Sequence, residues 1–207
     1  MIKCNNNSDT VVVVLHEIYG INDHIKTACQ RLSGLGVDVV CPDLLNRGRT
    51  YSYDREQFAY KNFIKNIGFE RAAEQVKKYV EGIGRRYRVV YVLGYSIGAT
   101  IAWLCSGEPG LCDGVVGYYG SRIRDYAGIT PRCPVLLFFP AREKAFDVDG
   151  LIRCLSIKSG VLVKKLPGSH GFADPFCSAF LRESYDKANE ETALFIRQIQ
   201  YAPPTCF

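Results

Sequence analysis

The chain has 207 residues, 47% of them hydrophobic and 23% charged, and its formal net charge at pH 7 is +5. This length and composition favour one compact domain over residues 1–207 with a full hydrophobic core. The basic residues form short, scattered clusters rather than a dense face with a recognisable binding motif, which argues against a nucleic-acid-binding protein.

The apolar segments are too short for a membrane protein, because no run of eighteen or more apolar residues occurs. The first seven residues, MIKCNNN, also lack the basic and then apolar layout of a signal peptide. We therefore expect a cytoplasmic protein without a membrane partner. The nine cysteines contain no C-x-x-C pair and several lie in apolar patterns, so we expect reduced thiols, no required disulfide, no metal site and no cofactor.

In chain order, six β-branched or apolar runs predict buried strands. They cover residues 11–15, 37–41, 89–93, 115–119, 135–139 and 161–166. Runs of this kind are typical of strands that are buried on both faces of a parallel sheet.

Segments with helical spacing lie between these runs. The first helix is predicted between Ile21 and Leu35, with Asn22 or Asp23 as its N-cap and Gly36 as its stop. Further helices are predicted over 69–83, after residue 96, and over 185–199, while 51–67 is more irregular. The alternation predicts an α/β fold: a doubly wound, mostly parallel sheet of about six strands with helices on both faces. Ligands bind beyond the carboxyl ends of such strands, so catalytic residues should follow strand ends.

The sequence G-Y-S-I-G at 94–98 follows a predicted strand and opens a helix, which is the context of a G-x-S-x-G nucleophile elbow. Small residues two places either side of Ser96 would let the backbone close a strained turn. A purely structural turn would use the same glycines. A phosphate-binding loop is excluded because no lysine follows the second glycine.

A serine nucleophile needs a base, and His170 is the only histidine that follows Ser96 in the chain. It comes directly after the last predicted strand. The third member of a serine-histidine-acid triad should be a carboxylate after the strand 135–139. Glu143, Asp147 and Asp149 all qualify by position. Glu143 is preferred because it lies nearest the strand end.

An oxyanion would be held by two backbone N–H groups, for which Ile18 and Ile97 are the candidates. Ile97 opens the helix after the elbow, and Ile18 follows the first buried strand. His16 and Glu17 do not form a zinc-protease motif, because H-E-x-x-H would require histidine at Gly20.

These motifs together resemble the dienelactone hydrolase family of α/β-hydrolases. The matching segments are E-I-Y-G-I-N at 17–22, C-P-D-L at 41–44, G-Y-S-I-G at 94–98, G-Y-Y-G at 117–120 and G-S-H-G-F at 168–172. The resemblance spans nearly the whole chain and implies a hydrolase acting on a small-molecule ester. It also implies an N-terminal pair of strands, which is expected to be missing here because the first buried run starts near Thr10.

Two departures from the family pattern bear on function. The best-known members use a cysteine nucleophile that is paired with the glutamate of E-I-Y-G, whereas this chain has Ser96, which leaves Glu17 to orient its loop or bind substrate. Those members hold a substrate carboxylate with arginines, one of them at the position of Asp174. That change of sign argues against an anionic dienelactone as substrate, although Arg55 is a candidate for the other arginine.

The sequence thus predicts a serine hydrolase that cleaves carboxylic esters through an acyl-enzyme. The alternatives are a thioesterase or acyltransferase with the same site, and a non-catalytic ligand-binding homologue. Arginines at 122 and 124 would select a negatively charged substrate if they line the pocket, and are solvated loop residues otherwise. A monomer or small homo-oligomer is expected. The candidate substrate-binding residues are Glu17, Tyr19, Tyr60, Arg122 and Arg124.

Overall fold

The structure is a computed structural model that describes residues 1–46, 48 and 50–200. Its described residues form a seven-stranded sheet in the order β1-β3-β2-β4-β5-β6-β7, in which β1 is antiparallel to β3 and all other pairs are parallel. The strands are β1 (Ile2–Cys4), β2 (Thr10–Leu15), β3 (Asp38–Cys41), β4 (Val89–Tyr95), β5 (Gly114–Tyr118), β6 (Val135–Arg142) and β7 (Val161–Ser169).

Helices cover both faces of the sheet, as the alternating pattern predicted. They are α1 (Asp23–Ser33), α2 (Glu56–Asn66), α3 (Phe69–Gly84), α4 (Ile97–Ser106), α5 (Val148–Ser156) and α6 (Arg182–Gln200), with short 3₁₀ turns at Tyr53–Arg55 and Ser121–Tyr126. Along β2, Val11 and Val13 belong to the core cluster on the face covered by α3, α4 and α5, whereas Val12 and Val14 belong to the cluster on the face covered by α1 and α6. Because side chains alternate along a strand, a strand of this kind must be apolar throughout. The predicted doubly wound α/β fold is confirmed.

The sheet has seven strands, whereas about six were predicted. The additional strand is the short edge strand β1, which the sequence did not indicate. It has three residues, pairs Ile2 with Cys41 and Cys4 with Val39, and is only partly buried. A segment this short and this exposed carries no apolar run, so its sequence gives no signal of a strand.

The segment 51–67 is also more regular than its sequence indicates. Most of it forms α2, in which only Ala59 and Phe63 are buried. Such a narrow apolar stripe gives weak helical periodicity. At α1, the expected N-cap is confirmed, since the Asn22 side chain accepts a hydrogen bond from the Ile25 N–H at 3.1 Å.

Within the described residues, we find no helix with an apolar stretch long enough to cross a bilayer.

Candidate active site

Ser96 stands between β4 and α4 in a strained backbone conformation. Its φ of 51° and ψ of −112° lie in a region that residues other than glycine rarely adopt. The turn is held on both sides, because the Ser96 N–H donates to the Tyr118 carbonyl at 2.9 Å and the Thr100 N–H donates to the Ser96 carbonyl at 3.2 Å. Strain that the surrounding structure maintains in this way is characteristic of functional sites.

The two glycines of the elbow are required by contact with backbone atoms. A Cβ atom on Gly94 would collide with the carbonyl oxygen of Gly98, and a Cβ atom on Gly98 would collide with that of Leu15. Both carbonyl oxygens belong to the backbone, so relieving either collision would require the strand or the helix to move. The glycines therefore let α4 pack directly against β2 and β4.

We expect Gly98→Ala to destabilise the protein by about 3 kcal/mol or more, because overpacking against backbone costs at least as much as overpacking a core. Gly82→Ala is the matched control. Gly82 lies in α3 with no atom near its added Cβ, so alanine there should stabilise by about 0.5–1 kcal/mol. Urea unfolding of both variants measures the difference, and equal stabilities would contradict the tight elbow.

The structure brings the predicted serine, histidine and glutamate together. His170 Nε2 lies 2.9 Å from Ser96 Oγ, and His170 Nδ1 lies 2.7 Å from Glu143 Oε1. Each residue directly follows the carboxyl end of a parallel strand: Ser96 follows β4, Glu143 follows β6 and His170 follows β7. The prediction that these side chains meet at one edge of the sheet agrees with this geometry.

The other two candidate acids point elsewhere. Asp149 accepts a hydrogen bond from Lys165 Nζ at 2.6 Å, and Asp147 Oδ2 lies 3.7 Å from Arg153 Nη2. Both are exposed, whereas the Glu143 side chain is only 9% exposed. Of the three acids, Glu143 is thus the one that contacts the imidazole.

The environment of His170 changes its proton affinity in two opposing ways. Burial lowers the pKa of the imidazole, while the hydrogen bond and the charge of Glu143 raise it, with smaller contributions from Glu17 and Glu56. The net pKa lies above the ordinary value of 6.5. The Tyr119 ring packs on the imidazole with centroids 4.9 Å apart, and Tyr119 itself has a positive φ of 42°.

Both candidate oxyanion donors belong to segments that border Ser96. Ile97 is the first residue of α4, where a helix leaves its N–H groups without intrahelical partners. Ile18 lies in the turn after β2, which is closed by a hydrogen bond from the Gly20 N–H to the Glu17 carbonyl at 3.1 Å. Ile18 and Ile97 both line the pocket at Ser96.

The pocket has a volume of about 310 Å³. Four of the predicted substrate-binding residues line it: Glu17, Tyr19, Tyr60 and Arg122. Its other lining residues are Ile18, Tyr53, Glu56, Ser96, Ile97, Thr100, Ser121, Glu143, His170, Gly171, Asp174 and Cys177.

Two arginines considered from the sequence lie outside the pocket lining. Arg124 donates to the Ser121 carbonyl and its guanidinium covers the Phe146 ring at 5.1 Å. Arg55 likewise covers the Phe58 ring at 4.6 Å. The interpretation of Arg124 as a pocket residue is corrected: aromatic and backbone contacts draw its side chain away.

A group of buried polar side chains adjoins the catalytic candidates. Oxygen atoms of Glu17 and Asp174 and a ring nitrogen of His24 all lie within 4.8 Å of one another. Asp174 accepts hydrogen bonds from the Tyr53 hydroxyl at 2.6 Å and from the Phe176 N–H at 2.9 Å. Burial, followed by the charge of Asp174, raises the pKa of Glu17 to about 7.

Sequence reasoning did not identify several of these residues. His24 precedes Ser96 in the chain, so chain order does not mark it as a site residue, and it is a buried residue of α1. Tyr53 and Glu56 come from the irregular segment, where no strand end marked a position near the site. The remaining pocket residues that were not predicted as site residues are Thr100, Ser121, Gly171, Asp174 and Cys177.

A doubly wound sheet with a serine in a tight strand-to-helix turn, facing a histidine from a later strand end, defines an α/β-hydrolase. A sequence profile described as the dienelactone hydrolase family matches residues 2–199. The chain belongs to this family, whose members are hydrolases acting on ester bonds.

The chain is also similar to individual proteins. The uncharacterised protein YczH of Bacillus subtilis is 38% identical over 179 residues, which cover 86% of this chain and 87% of YczH. Carboxymethylenebutenolidase 1 of Cupriavidus pinatubonensis is 27% identical over 138 residues, covering 62% of this chain and 58% of that enzyme. Among solved structures, a dienelactone hydrolase-like promiscuous phosphotriesterase from metagenomic libraries superposes with a TM-score of 0.74 at 16% identity, covering 92% of this chain and 86% of that one.

Proposed function

We propose that the protein is a serine hydrolase that cleaves carboxylic esters through an acyl-enzyme. Ser96 is the nucleophile, His170 the general base and Glu143 the acid that orients His170. The observation that carries the proposal is the continuous chain of contacts from Glu143 to His170 at 2.7 Å and from His170 to Ser96 at 2.9 Å. These separations lie within the range over which a base takes a proton.

In the acylation step, Ser96 Oγ attacks the acyl carbon of the ester while His170 Nε2 takes the hydroxyl proton. The carbonyl π electrons move to oxygen, and the N–H groups of Ile18 and Ile97 stabilise the resulting oxyanion. The tetrahedral intermediate then collapses: the bond to the alkoxy oxygen breaks and His170 donates its proton to the leaving alcohol. Ser96 is left as an ester of the acyl group.

Deacylation repeats these steps with water. His170 Nε2 removes a proton from a water molecule, whose oxygen attacks the acyl carbon. Collapse of the second intermediate returns the proton from His170 to Ser96 Oγ and releases the carboxylic acid. Glu143 accepts the Nδ1–H of His170 in both halves of the cycle, which keeps Nε2 facing Ser96 and stabilises the imidazolium ion.

Labelling with a fluorophosphonate probe tests the proposal directly. The wild-type protein should gain the mass of one phosphonyl group, and peptide mapping should place it on Ser96. Ser156→Ala, a matched substitution on the exposed end of α5, should label like the wild type, and Ser96→Ala should not label. A protein whose Ser96 never labels would instead support the non-catalytic alternative.

A further inference from the structure

The pocket wall carries carboxyl groups that are almost fully removed from solvent. Glu17 is 4% exposed and Asp174 is 1% exposed, and both line the pocket. Their nearest oxygens lie within 4.8 Å of each other. At this separation two ionised carboxylates repel strongly, and burial adds to the cost of holding them both charged.

A third carboxyl group extends the same electrostatic environment to the pocket mouth. Glu56, the first residue of α2, lines the pocket with an exposed side chain. Its charge contributes to raising the pKa values of Glu17, Tyr19 and His170.

Cationic side chains do not balance this charge. Among the described residues that line the pocket, Arg122 is the only lysine or arginine, and its Nε lies 3.1 Å from Asp125 Oδ2. His24 lies beside Asp174, with Nδ1 3.8 Å from Oδ1, but burial lowers the pKa of His24 to about 4, so its ring is neutral near pH 7. Its Nε2 is buried without a hydrogen-bond partner in the described part of the chain.

Aromatic rings complete this part of the pocket. Tyr19 and Tyr53 meet edge to face with centroids 4.7 Å apart, and Tyr60 lines the same cavity. The face of a tyrosine ring attracts a cation, most strongly where water is excluded. Buried carboxyl groups and aromatic rings that line one pocket are the recognition elements expected for an organic ammonium group.

Resting on the ester hydrolase function proposed above, we propose that the pocket selects esters that bear an ammonium group. The positive charge would lie between Glu17 and Asp174, against Tyr19 and Tyr53, with Glu56 attracting it from the mouth. The substrate would supply the counter-ion that the buried carboxyl groups lack. An ester that ends in a carboxylate would be repelled by the same groups.

Isosteric ester pairs test this proposal on both sides of the scissile bond. Butyrylcholine and 3,3-dimethylbutyl butyrate differ in the charge of the alcohol. The p-nitrophenyl esters of 4-(trimethylammonio)butanoic acid and 5,5-dimethylhexanoic acid differ in the charge of the acyl group. We expect kcat/KM for the cationic ester to exceed that of its neutral partner by about tenfold or more in at least one pair, which corresponds to a single favourable charge interaction.

Variants assign the preference to named residues. Glu17→Gln and, independently, the exposed Glu56→Gln should each lower the cationic-to-neutral ratio in the preferred pair. Glu74→Gln, the same change on the exposed side of α3, should leave the ratio unchanged. Because the readout is a ratio measured on one enzyme preparation, a partial loss of folded protein does not alter it.

The possible failures are separable. If Ser96 labels with fluorophosphonate and the neutral esters are cleaved, but both ratios are one or below, the ammonium proposal is wrong and the hydrolase proposal stands. If calorimetry with MgCl₂ or ZnCl₂ alone shows binding that Glu17→Gln abolishes, and the ratios are one, the carboxyl groups hold a metal ion instead. If Ser96 is not labelled and the protein cleaves none of the esters, both proposals fail together.

Discussion

Replacing Ser96 by alanine should lower kcat/KM for ester hydrolysis by at least about 10⁴-fold, because the substitution removes the atom that forms the acyl-enzyme. The residual rate would come from substrate binding and the two oxyanion N–H groups. Initial rates on p-nitrophenyl butyrate at saturating and limiting concentrations separate kcat from KM. We expect the loss to fall on kcat, since the Ser96 hydroxyl contributes little to binding the ground state.

The fold should survive this substitution. Within the described part of the chain, Ser96 Oγ forms its hydrogen bond with His170, and the turn is held by backbone hydrogen bonds that alanine retains. Thermal unfolding of Ser96→Ala within a few degrees of the wild type would therefore accompany the loss of activity. An alanine variant that keeps more than a tenth of wild-type kcat would show that another group attacks the ester.

Glu143→Gln should reduce kcat/KM by about 10²- to 10⁴-fold, because an amide does not hold the imidazole in one tautomer or stabilise its charged form. It should also move the acidic limb of the pH profile. His170 acts as a base only when neutral, and its pKa is raised above 6.5 mainly by Glu143 acting against burial. Wild-type kcat/KM should thus reach half of its maximum above pH 6.5, and this midpoint should fall in Glu143→Gln.

Asp149→Asn is the matched control for this experiment. Asp149 was an equally placed candidate in the sequence, but it pairs with Lys165 at the surface, so its replacement should change kcat/KM by less than about twofold. Burial raises the pKa of Glu17 to about 7, so this carboxyl group titrates in the pH range used to follow His170. The pH profiles are therefore also measured in variants that carry Glu17→Gln, which removes its titration. If kcat/KM falls strongly in Asp149→Asn but is unchanged in Glu143→Gln, then Asp149 rather than Glu143 is the acid that acts with His170.

The sheet and the nucleophile were predictable because their signals are local. A buried parallel strand must be apolar on both faces, so valine runs such as the one in β2 mark it directly. The elbow requires glycines because backbone atoms occupy the space beside Gly94 and Gly98. His170 followed from chain order, since no other histidine comes after Ser96.

Other features depend on contacts that local sequence does not encode. The choice among Glu143 and the two aspartates depended on how far β6 extends. It runs three residues beyond the predicted end, with an irregular register between Pro140 and Arg142, and this places Glu143 at the histidine. Similarly, Arg124 turned away from the pocket because of contacts to Ser121 and Phe146 that no spacing rule anticipates.

The acidic wall of the pocket illustrates the same limit. Asp174 was recognised as a departure in charge, but its proximity to Glu17 and His24 results from the packing of α1 against the loop after β7. Glu56 and Tyr53 come from a segment whose polar composition gives weak helical periodicity, so its helix was not predicted. Burial, rather than residue type alone, raises the pKa values of Glu17 and Tyr53 above their ordinary ranges.

The proposed mechanism requires Ser96 to carry the acyl group of the substrate during turnover. Rapid acid quenching of the wild-type protein with p-nitrophenyl butyrate, followed by intact-mass and peptide mass spectrometry, detects this acyl-enzyme. We predict one butyryl group on the peptide that contains Ser96, formed within the first turnover and absent from Ser96→Ala. Steady ester hydrolysis by the wild type together with a butyryl group on a different residue would contradict the account.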